Sequence, residues 1–157
     1  LNGATIGAGA GLALACDFRV MEESSRIAFS FINMGFSGDT GTMYFLMRML
    51  GAAKTTELMM LGDSLNGKES YSLGLASRLA PTGQLTSEAD RLITELCNKP
   101  THALGRQKQM MYEFFAADFL NFTEREADFM HDTGKTADHR EAVTAFLEKR
   151  RPVFTGM

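Results

Sequence analysis

The residues with the clearest chemical promise stand at the start of the chain, in Gly7-Ala-Gly-Ala-Gly-Leu-Ala-Leu-Ala-Cys-Asp17. Glycines at the alternate positions 7, 9 and 11 let the backbone turn sharply and let another group approach bare amides. Leu12 to Cys16 are helix formers or small residues, so the stretch predicts a Gly-rich turn feeding a short buried helix. The first N–H groups of such a helix have no intrahelical acceptor and, with the helix dipole, suit a developing negative charge. The same turn serves equally well to pack a helix against a sheet, and the glycines alone leave both readings open. Phosphate-binding patterns do not fit. A dinucleotide fingerprint needs a glycine where Leu12 stands, and no Gly-Lys-Ser/Thr marks a P-loop. A second candidate is Asp39. Asp39-Thr40-Gly41 matches the aspartic-protease triplet, but helix-forming residues follow from Met43 to Leu50, and the match is a coincidence. By its type and place Asp39 reads as a helix N-cap.

The elements that must position these residues follow in order. Asp17 to Met21 and Arg26 to Ser30 predict short strands around a Glu22–Ser25 turn. Phe31 to Thr42, with Gly35, Gly38 and Gly41, is too Gly-rich for a helix and reads as a loop. Helices are expected over Tyr44–Leu50, Ala52–Leu61 and Gly67–Leu73, closed by Gly51, Gly62 and Gly74, then a strand over Leu75–Leu79 ending at Pro81. Beyond Pro81 the pattern turns helical: an amphipathic helix over Leu85–Lys99, broken by Pro100, then one long helix from about Thr101 to Gly134. Leu104, Met111, Phe115, Phe119, Phe122 and Phe129 recur on one face of that helix. Such a face is core or subunit interface more often than a ligand groove. Asp138 and Glu141 have the spacing of a capping box for a last helix through Arg150, ended by Pro152.

Composition limits the function classes. Hydrophobic residues at 45% and charged residues at 22% are those of a folded globular chain and exclude a disordered one. A net charge of -3, with basic residues scattered until Lys149-Arg-Arg151, gives no footprint for nucleic acid. No apolar run reaches the roughly eighteen residues of a membrane span. Cys16 and Cys97 predict reduced, buried thiols in a cytosol-like, cytoplasmic setting. No His/Cys cluster has metal-ligand spacing, and His102, His131 and His139 read as surface or interface residues. The chain opens on Leu1, and Leu1-Asn2-Gly3 looks like a strand end entering a turn, so a start inside a domain is expected, any targeting segment lying before it.

The ordered series of marks resembles the crotonase (enoyl-CoA hydratase/isomerase) family. It runs through Asn2-Gly3, Gly7-Ala-Gly9, Leu12-Ala-Leu-Ala-Cys-Asp17, Gly35 with Asp39-Thr-Gly41, Arg48-Met-Leu-Gly51, Glu57-Leu58 with Leu61-Gly62, and Gly74-Leu75. Pro100 with Lys108, and the tail Asp138…Glu141…Ala145-Phe146…Lys149-Arg150-Arg-Pro-Val-Phe154, complete it. The resemblance implies an α/β fold: residues 1–80 as the C-terminal part of a strand–strand–helix superhelix, and 81–157 as a helical trimerisation region. It implies an acyl-CoA substrate, coenzyme A entering only as part of the thioester, and no metal or other cofactor. Homotrimers, often paired into hexamers, are the implied assembly, with no nucleic acid or membrane partner.

The resemblance also assigns roles. Ala8 becomes one of two N–H donors to the thioester oxygen, flanked by Gly7 and Gly9. The other donor is implied to lie before Leu1, so the chain by itself is expected to be inactive. Family hydratases use two glutamates, at positions held here by Gly11 and Asn33, neither of which exchanges a proton near neutral pH. A third family position holds Asp39, the acid/base in isomerases and the nucleophile in aryl-CoA dehalogenases. Isomerase is the favoured implication, with hydratase, dehalogenase-like hydrolase and catalytically inactive oligomer as alternatives. Phe31, Met34 and Phe36 are implied to contact the acyl group, and Lys149 the CoA phosphates.

Overall fold

Two small sheets frame the first half of the chain in a computed structural model that describes residues 1–157. β1 (Ala4–Ile6) pairs in parallel with β3 (Arg26–Ala28), which pairs antiparallel with β4 (Ser64–Asn66). β2 (Val20–Glu22) pairs in parallel with β5 (Arg78–Ala80). Parallel neighbours need crossover connections. The first carries α1 (Ala8–Leu14), and the second carries α2 (Thr42–Leu61) and α3 (Gly67–Ser72). Strands β2, β3 and β5 fall within or beside the expected ones. β1 and β4, at three residues each, are too short for their alternation to announce them, and their pairing with β3 makes them strands. Leu1 flanks β2, its carbonyl accepting from the Glu22 amide at 3.1 Å, consistent with a strand end there.

The core sits where α1 packs on α2 over the sheets. Leu14, Met21, Ile27, Phe29, Tyr44, Leu46 and Leu75 are fully buried in it. The two helices expected on either side of Gly51 are both present within α2, separated where Gly51 leaves helical geometry at φ 73° and ψ 173°. Arg19 is the buried charge the sequence did not announce. Its guanidinium donates to the carbonyls of Leu75 and Cys16, both at 2.5 Å, and so ties the end of α1 to the strand entering β5.

Several expectations about the second half are corrected. The long helix is two, α5 (Thr101–Phe115) and α6 (Phe119–Thr133), after α4 (Leu85–Cys97). Nothing in Ala116-Ala-Asp118 forbids a helix. Contacts with α2 break it: the Tyr44 hydroxyl lies 2.6 Å from the Phe115 carbonyl and 2.8 Å from the Asp118 carboxylate, which also pairs with Arg48 at 2.8 Å. Phe119 and Phe122 set their rings 5.0 and 5.4 Å from that of Tyr44, so this part of the aromatic face packs inside one subunit. The capping box is not at Asp138 and Glu141. It opens α3 through Asn66 and Glu69, whereas α7 (Ala137–Leu147) is capped by Thr136, whose hydroxyl accepts from the His139 amide at 3.1 Å. Asp138 and Glu141 instead hold the tail, accepting from the amides of Thr155, Gly156 and Val153. Cys16 and Cys97 are free thiols but exposed, because both sit at helix ends rather than on buried faces.

Candidate active site

Asp39 lies in a loop whose backbone is unusual on both sides of it. Gly38, Thr40 and Gly41 have φ of 120°, 57° and 67°. For the β-branched Thr40 this left-handed geometry is strained, and such strain persists only where surroundings enforce it. The Thr40 hydroxyl donates to the Asp39 carbonyl at 2.8 Å and lies 3.2 Å from that of Thr42. Gly41 is required twice over. A Cβ there would lie 2.6 Å from the Phe119 ring, and the residue is left-handed.

The N-cap of α2 is Gly41, and no side chain caps it. Asp39 is therefore not the helix cap that its type and place predict. Its carboxylate Oδ1 is instead buried without a hydrogen-bond partner. The side chain lines a cavity of about 650 Å³ together with Phe36, Thr40, Glu126, His131, Lys135 and His139.

The walls come from α6, α7 and the turn between them. Glu126 reaches back from α6 to accept from the Gly41 amide at 2.7 Å, while its Oε1, like Asp39 Oδ1, is buried without a partner. Burial pushes the Glu126 carboxyl up, the Gly41 amide pulls it down, and the Asp39 charge pushes it up again. His139 Nδ1 sits 2.7 Å from the Met34 carbonyl, with its ring centroid 4.0 Å from that of Phe36. The reading of His139 as a surface or interface residue is thus corrected, whereas His131, also on the cavity wall, is exposed as expected. Glu126 went unnoticed as well. Its only sequence signal is a charged residue among the apolar positions of α6, and that pattern is shared by any amphipathic helix.

Of the other expected site residues, Gly7 opens α1 at φ 58° and offers no side-chain cap, so the Ala8 and Gly9 amides begin the helix without intrahelical acceptors. Phe31 is a core residue whose ring fills the space between Gly7 and Gly38, and so backs the loop rather than lining the cavity. Met34 contributes its carbonyl to His139. Asn33 donates to the Gly62 carbonyl at 3.4 Å, at the far end of α2, and is not on the cavity wall. Lys149 is exposed in a left-handed turn beyond α7, also off this cavity. The Gly-rich turn and the Asp39 loop do meet at one point. A Cβ added at Gly11 would overlap the Thr40 hydroxyl and lie 2.5 Å from that of Thr42.

A Gly-rich helix start beside a loop carrying a half-buried carboxylate, on a frame of short strands and crossovers, defines a protein of the α/β crotonase fold. Residues 1–157 match the sequence profile described as enoyl-CoA hydratase/isomerase, and the chain belongs to that family. Among similar proteins, a trans-2-decenoyl-[acyl-carrier-protein] isomerase of Streptococcus mutans is 31% identical over 99% of this chain and 59% of its own length. A 1,2-epoxyphenylacetyl-CoA isomerase of Escherichia coli is 33% identical over 99% of this chain and 60% of its own. A crystal structure of an enoyl-CoA hydratase from Mycobacterium avium subsp. paratuberculosis superposes with a TM-score of 0.91 at 26% identity, covering 98% of this chain and 62% of that one. The chain thus spans about three fifths of the length of the curated relatives it matches. No helix is long and apolar enough to cross a membrane.

Proposed function

We propose that the chain serves an enoyl-CoA isomerase, shifting a double bond along an acyl-CoA through an oxyanion-stabilised enolate. The observation that carries this reading is Asp39, a half-buried carboxyl side chain on the wall of an open cavity, with one buried, unpartnered oxygen and no capping bond to explain it. The thioester oxygen rests on the Ala8 amide. Asp39 takes a proton from one carbon and returns it to another, so no atom is gained or lost and no cofactor is consumed. Phe36 supplies an apolar wall for the acyl group, and Lys149 approaches the phosphates of coenzyme A. Gly11 argues against the two-glutamate chemistry of hydratases, because the Thr40 and Thr42 hydroxyls occupy the space its side chain would need. The assembly is a homotrimer or hexamer, and Met111 and Phe114 of α5 and Leu120 of α6 offer it exposed apolar surface. The compartment is the cytoplasm.

A second reading has one observation behind it. His131 and His139 share the cavity with Asp39, which would suit an aspartyl-ester mechanism with an imidazole to activate water. One experiment separates the two. The intact protein is offered 3-enoyl-CoA and 2-enoyl-CoA in deuterated water, and products and protein are followed by mass. Double-bond shift with label, lost by about 10²–10⁴ in Asp39→Asn, supports the isomerase. Acyl mass trapped on the Asp39 peptide supports the ester, and unchanged turnover in Asp39→Asn removes both.

A further inference from the structure

Two residues other than glycine hold a left-handed backbone, Thr40 at φ 57° and Lys149 at φ 54°. Lysine is unbranched at Cβ, and Lys149 stands in an exposed turn beyond α7. Threonine is β-branched, so the same geometry strains Thr40 more, and it persists only because of what the side chain contacts. Those contacts gather at one atom. The Thr40 hydroxyl donates to the Asp39 carbonyl at 2.8 Å and lies 3.2 Å from the hydroxyl of the fully buried Thr42. The Ala8 carbonyl lies 3.5 Å from the same oxygen, and any Cβ at Gly11 would overlap it. The hydroxyl is therefore lodged in the seam between α1 and α2, in the space that a side chain at position 11 would fill. It touches the residue whose amide is offered to the thioester oxygen and the residue whose carboxyl is offered to the proton.

We propose that Thr40 is a positioning residue for isomerisation, its hydroxyl keying the Asp39 loop to the start of α1 and so fixing the acid/base relative to the oxyanion donor. The proposal rests on the roles read for Asp39 and Ala8. In that reaction a proton leaves one carbon, rides on the Asp39 carboxyl and returns to another, while the thioester oxygen stays on the Ala8 amide. The two groups come from separate elements, and a displacement of about 1 Å between them is enough to cost about 10²-fold in rate. The Asp39 Oδ1 has no hydrogen-bond partner to aim it, so the direction of the side chain is left to its backbone. The Gly41 amide ties that backbone to Glu126 of α6, and Thr40 supplies the tie to α1.

The test measures kcat, KM and deuterium per turnover for the intact protein with 3-enoyl-CoA in deuterated water, beside its thermal melting. Thr40→Val keeps the shape and the β-branch but removes the hydroxyl. It should lower kcat by about 10–10² with little change in KM. Thr40→Ser keeps the hydroxyl without the branch. It should restore the rate and melt no lower than wild type, because the left-handed strain is eased. Thr40→Gly suits the backbone and lacks the hydroxyl, so it gives the same loss of rate if Thr40→Val does not fold. A loosened carboxyl returns its proton to the enolate more slowly, while its exchange with solvent is unhindered. Deuterium per turnover should therefore rise in Thr40→Val and Thr40→Gly and stay at the wild-type level in Thr40→Ser. A side chain that only stabilised the loop would not move this ratio. Wild-type kcat in the variants without the hydroxyl, or an equal loss in Thr40→Ser, would overturn the proposal and leave Thr40 a structural residue. A loss of rate with unchanged deuterium per turnover would do the same. Turnover that survives in Asp39→Asn would overturn the acid/base reading and the proposal with it. Turnover lost in Asp39→Asn but kept in Thr40→Val and Thr40→Gly would overturn the proposal alone.

Discussion

The Gly7–Gly11 turn and the Phe36–Thr42 loop are both glycine-rich, and they are built in opposite ways. The first is local. Gly7 makes the turn, α1 follows at once, and the free amides at its start are a consequence of helix geometry alone. The second is held from a distance. The Ser37 amide donates to Thr133, the Gly41 amide to Glu126, and the Met34 carbonyl meets His139, partners 96, 85 and 105 residues away. A backbone donor costs the fold little to expose, because its direction is set by its own helix. A half-buried carboxylate on a strained loop must be walled in, because neither its desolvation nor its geometry is favourable in isolation.

This contrast can be broken by experiment, starting with the largest effect. Asp39→Asn should lower isomerisation by about 10²–10⁴ while the melting temperature hardly moves, since Asp39 makes no capping bond. A large loss of stability there would mean that the loop depends on its acid as much as on its walls. Phe119→Ala strips the ring that covers Gly41 and packs on Tyr44 and Phe45. It should cost about 3 kcal/mol in denaturant unfolding, at any protein concentration. A cost that appears only when subunits dissociate would place this ring at an interface instead of in the core.

The point where the two regions touch gives a smaller effect. Gly11→Ala should be destabilised by overpacking of about 1–3 kcal/mol, which outweighs the roughly 1 kcal/mol of helix propensity that alanine adds. Equal or higher stability in that variant would show that the Thr40 and Thr42 hydroxyls move aside and that the turn and loop are independent. The smallest effect concerns a clasp outside both regions. Arg150 and the Val153 amide hold the Glu141 carboxyl down to about 2 in the folded chain, against an ordinary value of 4.5. A depressed acid stabilises above its unfolded value, so the clasp should be complete above about pH 4.5 and lost as pH falls towards 2. The Val153 amide shift in NMR should follow that window in the wild type and be flat in Glu141→Gln. A flat wild-type profile would leave the tail held by other contacts.

Residue patterns alone carried the local parts of this protein. The helix ends at Gly51, at Gly62 and shortly before Pro100, the Gly-rich entry to α1 and the family marks along the chain are set within a few residues of one another, where propensity and capping act. Asp39 was legible as a candidate through its family position, and its competing role as a cap was equally legible. What only the tertiary structure decided was that Asp39 does not cap α2. At the break between α5 and α6 the Tyr44 hydroxyl donates to the Phe115 carbonyl, which continued helix would use, and Tyr44 and Arg48 both hold the Asp118 carboxylate. That break directs α6 back over the Asp39 loop, and with it come Glu126, His131 and, after the next turn, His139. Each of these looks like an ordinary polar residue on an amphipathic helix. For Glu126 and His139 the setting depends on partial burial and on partners 85 and 105 residues away, and neither is written in the spacing of their neighbours.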